Sequence, residues 1–97
     1  MTIQVWDLLL DDLNVEEMHR HGVSPRRAFE ILDEAPVLLR NFAKGGAPFL
    51  FVGPDAGGIF LSLPIDQAGE YGLWRPRTAY PSKARDVWRY WKKRKHR

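Results

Sequence analysis

Residues 37–63 read VLLRNFAKGGAPFLFVGPDAGGIFLSL, and the way this stretch divides decides the fold. Gly45-Gly46 and Pro54-Asp55-Ala56-Gly57-Gly58 cut it into three apolar runs too short for helices. Runs of this length, bounded by turn residues and rich in Val, Leu and Phe, are strands. They are expected at residues 37–42, 48–52 and 59–63, the last closed by Pro64. A fourth strand follows over residues 71–80, interrupted by Pro76. Proline has no N–H for the ladder, so that strand is predicted to be an edge or to bulge there. Short strands joined by short glycine-bearing loops form an antiparallel meander.

Outward from the meander the period becomes helical. Upstream, Ser24-Pro25 places an N-cap before a proline at the first helical position. Ala28, Phe29, Ile31, Leu32 and Ala35 then recur at helical spacing until Pro36 stops the run. An earlier helix is expected from Val15 to His21, with Asn14 as its cap, Glu17 closing the box and Gly22 at the left-handed end. Residues 2–6 alternate loosely and read as a short first strand. Downstream, Ser82 is the expected cap of a last helix, with Ala84, Val87, Trp88 and Trp91 on one stripe. Two Trp on one stripe read first as core anchors and second as a platform for stacking bases. The predicted class is α+β: two amino-terminal helices and a carboxy-terminal helix packed on one side of a mostly antiparallel sheet of four to five strands, in two layers.

Composition narrows the function. Ninety-seven residues with 44% apolar and 28% charged side chains suit one folded domain, residues 1–97. The longest apolar run is four residues, Phe49–Val52, which excludes a membrane-spanning helix from the sequence and leaves no membrane partner expected. The start carries acids where a secretion signal needs bases, so a cytoplasmic protein is expected. There are no cysteines, hence no disulfides, thiolate metal sites or thiol nucleophiles. The charge is divided unevenly. Residues 1–74 hold eleven acids and five bases, a net of −6, while residues 75–97 hold ten bases and one acid, a net of +9. Such asymmetry points to a polyanionic partner, above all nucleic acid, with a solubilising basic tail as the plainer alternative.

Several chemistries drop out. His19 and His21 point about 200° apart on a helix and find no third ligand, so neither a metal site nor a cofactor is expected. His21 beside the helix end reads as a cap for carbonyls, with a proton-transfer role as the alternative, since histidine is the side-chain type suited to that near neutral pH. The paired glycines match no phosphate-binding fingerprint, and no nucleophile elbow is present.

Trp6-Asp7, Asn14, the run His19-Arg20-His21-Gly22-Val23-Ser24 and the late pair Thr78-Ala79 before a basic helix resemble BrnT-type toxins of the RelE/ParE-like toxin–antitoxin superfamily. The resemblance implies a RelE-like fold and a metal-independent endoribonuclease that inhibits translation. It also implies RNA as substrate and a small DNA-binding antitoxin as protein partner. Phosphodiester cleavage needs the 2′-OH oriented, the phosphorane stabilised and the leaving 5′-oxygen protonated. Arg75, Arg77 and Tyr80 are the catalytic candidates, with Arg40, Trp74, Lys83, Arg85 and Arg89 for RNA binding. The chain departs from the family at Tyr80, where an Arg is usual, and residues 8–13 resemble a small insertion. A catalytically inactive module of the same fold that binds nucleic acid or a protein is the alternative that Tyr80 raises, with Arg75 and Arg77 gripping an acidic antitoxin in the protein-binding case.

Overall fold

The computed structural model describes residues 4–95. The elements are β1 (Asp7–Leu8), α1 (Asp12–Arg20), α2 (Pro25–Glu30) with a single 3-10 turn at Ile31–Asp33, β2 (Val37–Arg40), β3 (Phe49–Pro54), β4 (Phe60–Gln67), β5 (Leu73–Pro76), β6 (Tyr80–Pro81) and α3 (Ala84–Lys95). The sheet runs β1-β5-β4-β3-β2, with β6 beside β4. Only the β1–β5 pairing is parallel. The expected class, α+β on a mostly antiparallel sheet, is what the structure contains.

The layering differs from expectation. Along β3, Phe49 and Phe51 join the cluster of Met18, Val23, Ala28 and Ile31 from α1, the α1–α2 connection, α2 and the 3-10 turn. Their alternating neighbours Leu50 and Val52 join a second cluster with Val37, Leu39 and Tyr90 of α3. Successive strand residues face opposite sides, so α3 covers the face that α1 and α2 leave open. The sheet lies between two helical layers, which is why β3 reads as a continuous apolar run rather than an alternating one. Met18, Ile31, Leu61, Leu63 and Ile65 are fully buried. Each contributes about 1.5–3 kcal/mol of transfer free energy.

Several boundaries move for identifiable reasons. The first strand forms at Asp7–Leu8, not residues 2–6, of which 2 and 3 lie outside the described residues. There Leu8 enters the core while Trp6 is left exposed. Helix α1 starts three residues early, because Asp11 is the cap and Asn14 is the closing member of the box. The Asn14 amide is needed elsewhere: it is buried and donates to the Leu9 and Pro76 carbonyls at 3.0 and 2.9 Å. Ser24 caps α2 as expected. That helix nevertheless tightens into the 3-10 turn ahead of Pro36, with Ala35 at φ 51°. A residue before proline is excluded from ordinary helix.

Pro64 does not end β4 but lies inside it. It falls between the residues paired to β6 (Leu61, Ser62) and those paired to β5 (Ile65 to Gln67). Its carbonyl accepts from the Arg77 N–H at 2.8 Å, so its missing donor faces the same gap and breaks no ladder bond. The expected strand 71–80 is correspondingly two pieces, β5 and β6, with Arg77, Thr78 and Ala79 between them.

The last helix differs most. Ser82 is not its cap; its hydroxyl pairs with Ser62 at 2.7 Å. The Lys83 carbonyl takes the first helical N–H groups, from Asp86 and Val87. Trp88 and Trp91 are not core anchors, being 61% and 55% exposed. Tyr90 is the anchor: its ring meets Phe60 edge-on and its hydroxyl donates to the Ala35 carbonyl at 2.8 Å. Arg94 donates to the same carbonyl.

The loop between β3 and β4 is tied to α2 by Asp55. One carboxylate oxygen accepts from the Gly57 and Ile59 N–H groups, and the other from Arg27 Nε at 2.9 Å. Burial pushes this carboxyl up, but the N–H of Ile59, the Arg27 guanidinium and the N–H of Gly57 outweigh it and hold it below the ordinary 3.8. A depressed acid contributes stability fully above its unfolded-state value and loses it as pH falls through the folded-state value. Thermal melts from pH 6 down to pH 2 should therefore show Tm falling below about pH 4, with a shallower fall in Asp55→Asn. Parallel curves for the parent and the variant would show that Asp55 has no part in the acid response.

Candidate functional site

A cavity of about 600 Å³ opens where α1 ends, beside β6 and the loop between β2 and β3. His21, Asn41, Arg77, Thr78, Tyr80 and Lys83 bring polar groups to it. Local sequence explains each placement. Gly22 takes φ 75°, which lets the Gly22 and Val23 N–H groups fold back onto the His19 and Met18 carbonyls. That closure ends α1 abruptly and leaves His21, exposed, at the mouth. Tyr80 is held opposite Ser62 by β6, and Lys83 follows at the start of α3.

Two groups flank the Tyr80 ring. The His21 ring lies 5.9 Å away, centroid to centroid, tilted by 59°. Lys83 Nζ lies 5.9 Å from the Tyr80 centroid. Among the described residues, no carboxylate pairs with Lys83. Burial, and then the charge of nearby Asp86, push the Tyr80 hydroxyl above its ordinary 10.0 against the smaller opposing effect of Arg85. The phenol therefore stays protonated at neutral pH and is available as a donor. The Thr78 hydroxyl is buried at this wall and makes no hydrogen bond among the described residues. A buried hydroxyl without a partner is costly unless something else meets it.

Among the sequence-derived candidates, Arg77, Tyr80 and Lys83 come together here. The Arg77 fork is already engaged, with Nε and Nη2 on the Asp66 carboxylate at 2.7 and 3.1 Å and Nη1 on the Gly45 carbonyl. That partner raises its pKa further. Arg75 is not at the cavity. It holds Asp11 with two hydrogen bonds of 2.8 and 3.1 Å, and so ties β5 to the cap of α1. The same pairing, joined by the Asn14 N–H, lowers the Asp11 carboxyl. Trp74 offers no stacking surface: it is 6% exposed, edge-on to Phe49, with Nε1 donating to the Gln4 carbonyl. Arg89 reaches across to the Arg40 carbonyl and stands over the Phe42 ring. Arg40 and Arg85 are exposed, and neither lines the cavity.

His21 is the C-cap of α1, as one sequence reading expected, with its backbone N–H on the Met18 carbonyl at 3.0 Å; its ring lies beside Tyr80 at the cavity. Asn41 carried no signal in sequence, and Thr78 entered only as half of the Thr78-Ala79 pair. Asn41 sits in the glycine-bearing loop between β2 and β3, where the Gly45 carbonyl accepts from Arg77 at 3.3 Å. Among the described residues no cluster of three or more His, Asp or Glu could hold a metal ion, and no helix is long and apolar enough to cross a membrane. Comparison with protein-family models, with curated proteins and with solved structures returns no match for the chain.

Proposed function

We propose that the chain is the toxin component of a type II toxin–antitoxin pair, of RelE-like fold and resembling BrnT, that cleaves RNA in the cytoplasm and so inhibits translation. The observation that carries this reading is the convergence on one cavity of an imidazole, a phenol and an unpaired ammonium from three separate stretches of chain: His21, Tyr80 and Lys83. Their chemistry divides in the way 2′-OH attack requires. His21 takes the proton from the 2′-OH as the 2′-oxygen bonds to phosphorus. Tyr80, kept protonated, donates to a non-bridging oxygen as charge grows there. Lys83 balances the phosphorane and protonates the departing 5′-oxygen as the phosphorus–oxygen bond breaks. Arg77 adds positive potential at the rim, tempered by Asp66. Arg75 drops out of the catalytic set and becomes a support for β5. The antitoxin, small and DNA-binding by the resemblance, would hold the toxin inactive.

One observation favours the second reading, a binding module without catalysis: both arginine forks singled out from sequence are occupied by carboxylates, Asp11 and Asp66. A single assay separates the two. End-labelled single-stranded RNA incubated with the purified protein and EDTA should be cut, leaving 2′,3′-cyclic phosphate ends. Retention of intact RNA in a stable complex would support the module instead.

A further inference from the structure

Among the described residues, the outer face of α3 is left largely open. Trp88 and Trp91 stand on it, both more than half exposed, with Arg85, Lys92 and Lys95 around them. At about 100° per residue these five positions share one face. The helix's single acid, Asp86, is buried on the opposite side. The indoles are not loosely held. Trp91 packs its ring against Phe60 and Tyr90, at 5.9 and 5.0 Å between centroids. Lys92 Nζ lies 4.7 Å from the centre of the Trp88 ring. Between Trp88, Trp91, Lys92 and Lys95 lies an open depression of about 410 Å³.

We infer that this face binds single-stranded nucleic acid, with bases stacked on Trp88 and Trp91 and phosphates met by Arg85, Lys92 and Lys95. Charge complementarity selects an anionic occupant, since the face carries three cations and no acid. Shape selects the kind. A single strand alternates a planar base with a phosphate, and the face alternates indoles with cations, the combination that sequence-tolerant strand binding uses. An acidic protein segment would satisfy the cations but would have to bring separate apolar cover for two flat rings. Ordering costs are low, because the Trp91 ring is already fixed by its neighbours. On binding, the cation over Trp88 gives way to a base and moves onto a phosphate. Lys83 immediately precedes this helix, so a strand that leaves the face past the helix's amino-terminal end is directed toward the cavity. That direction rests on the proposed cleavage site; the binding itself does not.

The probe is a short fluorescent oligodeoxythymidylate, which lacks the 2′-OH, set against an abasic strand of equal length and charge. The parent should bind the thymidylate at least tenfold more tightly than the abasic strand. Trp88→Ala and Trp91→Ala should each weaken thymidylate binding by about 5- to 100-fold, leave abasic binding unchanged, and regain most of the loss as Trp→Phe. Both positions are exposed, and circular dichroism checks that the variants fold. Equal affinity for the two strands would overturn the proposal, as would a double variant that binds thymidylate like the parent. A poly-glutamate peptide that displaces the thymidylate and shows the same Trp dependence would also overturn it, making an acidic protein the occupant. Trp-dependent binding by a protein that cuts no RNA would uphold this face while refuting the cleavage site.

Discussion

His21→Ala should lower the rate of RNA cleavage by about 100- to 10,000-fold, the range seen when a positioned acid or base is removed. The imidazole is exposed at the end of α1, and among the described residues its one aromatic contact is with Tyr80. Truncating it should change stability by no more than about 0.5 kcal/mol. A loss of rate in a protein that melts like the parent therefore reports chemistry and not folding. Arg75→Ala is the contrasting control. Its guanidinium is bound to Asp11, away from the cavity, so it should soften the fold and leave the rate per folded molecule unchanged. Cleavage by His21→Ala at the parental rate would remove His21 from the mechanism. A collapse of rate in Arg75→Ala with an unchanged melting curve would restore Arg75 to it.

The largest stability effect should come from Asn14→Asp. Asn14 is 1% exposed and occupies a junction: its oxygen accepts from the Asp11 N–H, while its amide nitrogen donates to the carbonyls of Leu9 and Pro76. The change preserves shape and the capping acceptor but turns the donor into a carboxylate oxygen aimed at two carbonyl oxygens. An unpaired buried charge costs about 3–5 kcal/mol, much of the roughly 5–15 kcal/mol that keeps a small domain folded. Tm should fall by at least about 12 °C. Below the ordinary aspartate range the new carboxyl is protonated and becomes a donor again. The gap to the parent measured at the same pH should then narrow. A gap that stays constant with pH would show that lost packing, not charge, is responsible.

The meander was legible because its signals are local. Gly-rich breaks and short apolar runs marked β2, β3 and the start of β4, and Ser24-Pro25 marked the start of α2. What escaped was decided over long range. Asn14 looked like a cap because its second task, holding Pro76 across 62 positions of chain, leaves no local trace. Pro64 looked like a stop because its tolerance depends on the gap between β5 and β6. The Trp stripe looked like core because a hydrophobic pattern does not say which side of a helix meets the sheet, and on α3 the inner side is set by Tyr90 and a buried Asp86. For the site, Arg77, Tyr80 and Lys83 were legible as a basic, phosphate-directed stretch. The company they keep was less so. Asp11 and Asp66 neutralise the two arginines, and Asn41 reaches the wall from the distant loop between β2 and β3.

The two sides of α3 also set how freely the helix can vary. Ser62, Asp86, Tyr90 and the Arg94 clasp on the Ala35 carbonyl bind its inner side to the sheet, so exchanges there are exchanges of fold. Apart from Trp91, which packs on Phe60 and Tyr90, the outer side contributes little to folding. Substitutions at Arg85, Trp88, Lys92 or Lys95 can redirect what the protein meets without first having to be rescued by a second mutation. Selection can therefore act on recognition and on folding in one twelve-residue helix, along two faces that hardly constrain each other.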